Sequence, residues 1–212
     1  MSNIHYFEQG GPEWHVYRTG KITASRIADI MASAKTGVSA SRSNYQAELM
    51  VERLTGDREE SYTNAAMQWG IDTEPQARAA FEFITGNTVD LVGFVDHPTI
   101  GNAGCSPDGL VGDESIIEIK CPKSSTHMQT LLGKAIDGKY IKQIQFQLAC
   151  TEREMCHFVS FDPRFPYELQ LKVIDVYREE ALIEEIEREV AEFDREIESK
   201  IQYLSKNIQI NF

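Results

Sequence analysis

Apolar residues along this chain recur first at helical spacing, then at alternate positions, then at helical spacing again. The first region predicts short helices over Glu13–Thr19 and Thr23–Ala34, the second capped by Thr23 or a neighbour. Past a polar link, KTGVSASRS, a helix is expected over Asn44–Leu54, closed by Thr55-Gly56. A longer helix covers Asn64–Thr85 and stops at Gly86-Asn87; Pro75, which has no N–H to donate, marks a kink or break near Thr73-Glu74. Alternation then predicts strands over Thr88–Asp96, Gly101–Ser106 and Ser115–Cys121, punctuated by Gly and Pro. Helices over Ser125–Leu132 and Gly138–Thr151 follow, then strands over Met155–Asp162 and Tyr167–Val176. The last element is a long helix, Arg178 to about Leu204, in which Leu182, Ile186, Val190, Phe193, Ile197, Ile201 and Leu204 form one apolar stripe on a charged rod. Packing on its own domain is the simpler use of that stripe; a subunit contact is the sharper one.

The 212 residues suit one well-packed domain spanning 1–212, of α/β class, with a central mixed sheet flanked by helices and an acidic terminal helix over about 178–204. No internal repeat or low-complexity linker interrupts it. No apolar run is long enough to span a bilayer, and the first residues, MSNIHYFEQGGPEWHVYR, show no signal-peptide pattern. Cys105, Cys121, Cys150 and Cys156 form no CxxC pair, which argues for buried thiols in a reducing compartment over a disulfide framework or a zinc ribbon.

The net charge of −12 argues on its face against nucleic acid, since phosphate contacts need Lys and Arg. The charge is uneven, however. Between Trp14 and Ala47 stand Arg18, Lys21, Arg26, Lys35 and Arg42 against one acid, Asp29, whereas Arg178 to Lys200 is crowded with Glu. An acidic outer face and a basic inner one would reconcile the balance with an anionic substrate.

Candidate chemistry centres on the strand IIEIK. Side chains alternate along a strand, so Ile117 and Ile119 face one way while Ile116, Glu118 and Lys120 face the other. The Gly109–Glu114 stretch, with Gly112-Asp113, reads as a turn between two antiparallel strands, a hairpin that would bring Asp108 back beside Glu118. Two carboxylates that close raise one pKa unless something positive lies between them, and a hard ion, Mg²⁺ or Mn²⁺, meets that need with carboxylate, carbonyl and water ligands. Lys120 would point at the same place, to orient a water or steady charge on a phosphate. A short D…ExK match of this kind is more often a solvated strand edge; the surroundings lift it. Glu74 falls on the small and apolar stripe Gly70, Glu74, Ala77, Phe81, where a carboxylate needs a partner. Of Gln143, Gln145 and Gln147, the first and last share a helix face and could fix a substrate strand or the catalytic carboxylates, or simply face water. RTGKITAS, Arg18 to Ser25, gathers an Arg, hydroxyls and a helix start, which makes either a phosphate seat or an ordinary capped helix.

SPDG followed by EIKCP, preceded by the Trp69-Gly70 helix with Glu74 and by Trp14-His15, Arg18 and ITAS, resembles the phage lambda exonuclease family, the YqaJ-type viral recombinases of the PD-(D/E)xK nuclease superfamily. The similarity runs from about Trp14 to Asp162 and fades beyond. The resemblance implies a restriction-endonuclease-like core and a metal-dependent exonuclease that digests one strand of linear duplex DNA from its 5′ end, leaving a 3′ single strand for annealing-type recombination. By the same resemblance Asp108 and Glu118 bind one or two Mg²⁺ or Mn²⁺ with the Ile119 carbonyl, Glu74 supports the metal site, Lys120 is catalytic and Gln143 lies at the active centre. Arg18, Ser25 and Ser106 would form the 5′-phosphate pocket. The resemblance also implies a ring-shaped homotrimer, a single-strand annealing protein as partner, and a phage or prophage protein in the bacterial cytoplasm. Two alternatives stand beside it: a restriction- or repair-type endonuclease on the same fold, and a catalytically silent DNA-end binding module. The cysteines do not match nucleases with an iron–sulfur cluster, and an acidic helical scaffold would leave the central pattern unexplained.

Overall fold

A computed structural model of the chain describes residues 3–33, 37–58 and 64–207. In order, the elements are β1 (Ile4–His5), α1 (Pro12–Arg18), β2 (Ile22–Thr23), α2 (Ile27–Ile30), α3 (Ala40–Thr55), α4 (Ala65–Thr85), β3 (Val89–Asp90), β4 (Phe94–Asp96), β5 (Ala103–Cys105), β6 (Gly109–Val111), β7 (Ser115–Lys120), α5 (Ser124–Leu131), α6 (Gly138–Thr151), β8 (Met155–Phe161), β9 (Leu171–Tyr177) and α7 (Glu180–Asn207).

The α/β class holds, with a five-stranded mixed sheet in the order β3-β6-β7-β8-β9. The expected single sheet is joined by a second one of four short strands, β1-β4-β5-β2. The reason lies at Gly93. The stretch read as one strand over Thr88–Asp96 divides there, β3 pairing with β6 and β4 with β5 and β1. A Cβ on Gly93 would lie 2.2 Å from the Phe7 ring, so only glycine lets the chain pass there between sheets.

Around β7 the expected hairpin forms with a shorter turn: Gly109–Val111, expected within the turn, is strand β6, while the expected strand before it, now β5, pairs in the other sheet. β6 and β7 are antiparallel, with Gly109 opposite Ile117, which sets Asp108 beside Glu118 across the turn at Gly112-Asp113. β8 runs parallel to β7, with Glu118 opposite Phe158. The faces also sort as the alternation requires. Ile117 and Ile119 join Ala77 and Phe81 of α4 in one apolar cluster, and Ile116 joins Ile144, Phe146 and Leu148 of α6 in the larger one. Glu118 and Lys120 therefore project toward α6.

Helix boundaries follow local chemistry. Expected over Thr23–Ala34, a helix gives way to β2, a 3₁₀ turn over Ala24–Arg26 and the short α2, and Thr23 makes no side-chain cap; Ala34 and Lys35 lie outside the described residues. α3 starts four residues earlier than its apolar spacing indicates, because Ser39 Oγ accepts from the Arg42 amide and caps it there. α4 is continuous through Pro75. Pro75 and Ile71, four residues before it, are both exposed, so water can bond the carbonyl that Pro75 leaves unpaired. Asn64 caps α4 with bonds of 2.9 and 3.0 Å to the Ala66 and Met67 amides, and Gly86, at φ +73°, ends it. β9 begins only at Leu171, after a 3₁₀ turn over Tyr167–Leu169. The α7 stripe is spent within the chain: Ile183, Ile186, Val190, Phe193 and Ile197 are buried in the larger core.

Candidate active site

A cleft of about 760 Å³ opens at the C-terminal end of β7, between the first half of α4 and the start of α6. Asp108, Ile119 and Lys120 form its floor, Trp69 and Glu74 one wall, and Tyr140 and Arg164 line it as well. Glu118 lies just behind, almost wholly buried, and is reached through Lys120, whose ammonium is bonded to Glu118 Oε1. From α6, Gln143 Nε2 donates to the same Oε1 at 2.7 Å and Gln147 Nε2 donates to Oε2 at 2.7 Å. Asp108 Oδ2 accepts a 2.6 Å bond from the Ile119 amide, so the turn is tied to the strand it precedes. Gln9 holds that turn from outside by donating 2.8 Å bonds to the Pro107 and Val92 carbonyls.

The electrostatics follow from crowded carboxylates. Burial, and then the Glu118 charge, raise the Asp108 pKa well above the usual aspartate range, with Lys120 opposing and Glu74 adding to the rise. Burial raises Glu74 too, against the pull of Arg78, whose Nη1 is 3.6 Å away. Burial alone would lower Lys120; the Glu118 and Asp108 carboxylates outweigh it and hold the ammonium charged, above the ordinary lysine pKa.

Among the described residues no three His, Cys, Asp or Glu side chains stand together as a ready-made cation site. The donor chemistry nevertheless suits a hard divalent ion. Three carboxylates repel one another across this end of the cleft, and among the described residues the one cation bonded to Glu118 is the Lys120 ammonium, so added positive charge would relieve the crowding.

Trp14, Arg18 and Ser106 meet elsewhere on the molecule. Ser106 Oγ accepts from Arg18 Nη1 at 3.0 Å and from Trp14 Nε1 at 2.9 Å, and donates to the Gly93 carbonyl at 2.8 Å. Arg18 also lines a small cavity of about 50 Å³ with Ser25, Lys21, Thr23, Arg26 and Arg58, and with the carboxylates Glu48 and Glu52. Ser25 and Ser106 are thus both brought to Arg18, one through the shared cavity and the other by direct contact.

The basic stretch is less free than its charge count indicates. Lys21 pairs with Asp96 at 2.7 Å, Arg26 with Asp29 and Glu48 at 2.6 and 2.9 Å, and Arg42 with Glu196 of α7 at 2.9 Å. Among its described residues Arg18 has no carboxylate at ion-pair distance. The acidic α7 serves partly as counter-charge, since Arg53 also reaches Asp194 and Glu198 at 2.7 Å each.

Several residues escaped sequence reading. Arg164 is gripped by the buried Asp162, Nε to Oδ1 at 2.7 Å and Nη2 to Oδ2 at 2.8 Å, and stacks over Trp69 with 4.5 Å from its guanidinium carbon to the ring centroid. Arg78 reaches the Asp108 carbonyl at 3.4 Å. Asp162-Pro163-Arg164 reads as a turn between two strands, and nothing in it points to a helix almost a hundred residues earlier. Gln145 takes a different part from its neighbours, donating to the Tyr177 carbonyl and accepting from the Glu179 amide, both at 2.8 Å, where β9 leads into α7.

The alkaline exonuclease LHK-Exo from Laribacter hongkongensis, for which one crystal structure is a complex with dAMP, is similar to this chain at TM-score 0.86 and 50% sequence identity, over 92% of this chain and 97% of that one. A phage related exonuclease from Haemophilus somnus 129PT shares the fold at TM-score 0.69 and 17% identity, over 88% of this chain and 96% of its own. No curated protein sequence matches. No helix among the described residues is long and apolar enough to cross a membrane. The family model of the YqaJ-like viral recombinase domain matches residues 13–154, more than half of the chain, and with the site geometry above this protein belongs to that family.

Proposed function

We propose that this chain, a nuclease of the YqaJ-like viral recombinase family acting on DNA, is a metal-dependent exonuclease that digests one strand of linear duplex from its 5′ end and leaves a 3′ single strand for annealing-type recombination. One observation carries the reading. Asp108, Glu118, Lys120 and Gln143 converge at the end of one cleft, and Ser106, two residues before Asp108, is bonded to Arg18, which has no carboxylate at ion-pair distance among the described residues. End recognition and cleavage are then joined through one tripeptide. LHK-Exo, at 50% identity, is an exonuclease, which supports the same activity here.

Asp108 and Glu118, with the Ile119 carbonyl and with Glu74 in support, would hold one or two Mg²⁺ or Mn²⁺. Bound there, the ion supplies charge neutralisation on the scissile phosphate and a nucleophilic water at neutral pH. The chain's own groups do the remaining work. Lys120 places a fixed positive charge against the phosphate as negative charge builds on it. Gln143 holds Glu118 in place. Arg18, Ser25 and Ser106 seat the terminal 5′-phosphate by charge-assisted hydrogen bonds. A ring-shaped homotrimer around the duplex, an annealing protein as partner and a host cytoplasm rest on the family likeness.

Incubating linear duplex, phosphorylated at one 5′ end, with Mg²⁺ tests the reading. The phosphorylated strand should shorten from its 5′ end while covalently closed circles stay intact. Cutting of circles favours the endonuclease alternative, and binding of ends without cleavage favours the silent binding module.

A further inference from the structure

We infer that Gln147 is a positioning residue for the metal-binding carboxylate of Glu118, acting from behind the site. The inference rests on the metal-dependent reading above and deepens it.

Gln147 is fully buried, one turn along α6 from Gln143 and on the same face. The two amides divide the carboxylate between them. Oε1 is shared by Gln143 and Lys120, on the side of the cleft; Oε2 is held by Gln147 Nε2 at 2.7 Å. The Gln147 bond is thus the one that fixes the rear oxygen and with it the rotation of the carboxylate plane. Release of Oε2 would let the plane turn and move Oε1 away from Lys120 and the cleft.

A second observation says why the residue is glutamine. Its own Oε1 is buried and has no hydrogen-bond partner among the described residues. Buried amide oxygens are nearly always paired. Flipping the amide would set an oxygen against a carboxylate oxygen, so the orientation is fixed and the orphan is its consequence. The neighbours Ile144, Phe146, Leu148 and Ala149 are all buried and apolar, so a methionine or leucine would pack at this position without that penalty. The position keeps an amide because Glu118 needs its N–H. Ligands of metals are commonly held this way, and removing such a support weakens metal affinity about 10- to 100-fold.

Mn²⁺ titrated calorimetrically into the DNA-free, chelator-stripped full chain reads the effect without any turnover. Gln147→Met keeps length and volume and loses the donor. The expected result is a Kd for Mn²⁺ weakened about 10- to 100-fold, with melting in EDTA as cooperative as that of the parent. An unchanged Mn²⁺ affinity in the folded variant, or no Mn²⁺ binding by the parent, overturns the inference. Should Gln147→Met fail to melt cooperatively, Gln147→Leu, which likewise lacks the amide donor and adds no charge, decides by the same titration. Because no substrate is present, failure of the strand-polarity assay would sink the exonuclease reading and leave this result standing.

Discussion

Arg18 donates a 3.0 Å hydrogen bond from Nη1 to Oγ of Ser106, tying the end of α1 to the turn that carries Asp108. The Arg18 Nε is buried with no partner among the described residues. Burial first, and the nearby Arg58 charge second, bring the Arg18 pKa down to about 10, which still leaves it charged at neutral pH. The proposed phosphate seat rests on that guanidinium, which has no carboxylate at ion-pair distance among the described residues.

Arg18→Ala should therefore reduce the preference for 5′-phosphate over 5′-hydroxyl ends by about 10- to 100-fold, the worth of one or two charge-assisted bonds at roughly 1.5–3 kcal/mol. Two labelled duplexes differing only in that group, digested in one tube, give the ratio directly. A ratio equal to the parent's removes Arg18 from the phosphate seat.

In the metal-free site Lys120 stays protonated because Glu118 and Asp108 outweigh its burial, so there it is a source of positive charge and not a proton acceptor. Lys120→Ala should lower cleavage by about 10²–10³-fold or more, the usual loss when one transition-state donor is removed. Gel-shift binding of linear duplex should survive, since the change lies at the floor of the cleft and not on the cavity that Arg18 lines. Full nuclease activity in that variant would contradict the assignment of the cleft.

Much of this site could be read from spacing because it depends on short-range geometry. Alternation over six residues puts Glu118 and Lys120 on one face, and a turn of fixed length returns Asp108 to their side. Helical spacing likewise placed Gln143 with Gln147, and Glu74 above Ala77 and Phe81. What the sequence hid are meetings between distant segments. The break at Gly93 depends on the Phe7 ring, the grip of Asp162 on Arg164 gains its meaning only against Trp69, and the charge of Arg42 and Arg53 is met by α7, more than 140 residues away. The early start of α3 was missed for a local reason: ASRS offers no apolar periodicity, so Ser39 alone sets that end.

The buried stripe of α7 leads to a stability prediction. Phe193 is fully buried, stacked on Tyr45 with ring centroids 5.6 Å apart, and Arg42 lies 4.8 Å from its ring. Phe193→Ala should cost about 3–5 kcal/mol, the range for truncating a core aromatic. Urea unfolding of parent and variant measures it. A loss below about 1 kcal/mol would mean that the helix docks on its own core more loosely than the contacts show.

The crowded carboxylates predict a pH dependence of stability with a definite sign. In the folded, metal-free chain Asp108 keeps its proton to a higher pH than in the unfolded chain, where it ionises near 4. Across the window from there up to the raised folded value the native state binds more protons, so stability falls as pH rises. Asp108→Asn removes that titration. In EDTA the parent should lose stability relative to Asp108→Asn as pH rises from 4 toward 8, and Mn²⁺ at pH 8 should restore the parent far more than the variant. Denaturant midpoints at several pH values, with and without Mn²⁺, provide the comparison. Parallel curves for the two proteins would show that Asp108 is not the group strained by its neighbours, and a Mn²⁺ effect of equal size in both would take it out of the metal site.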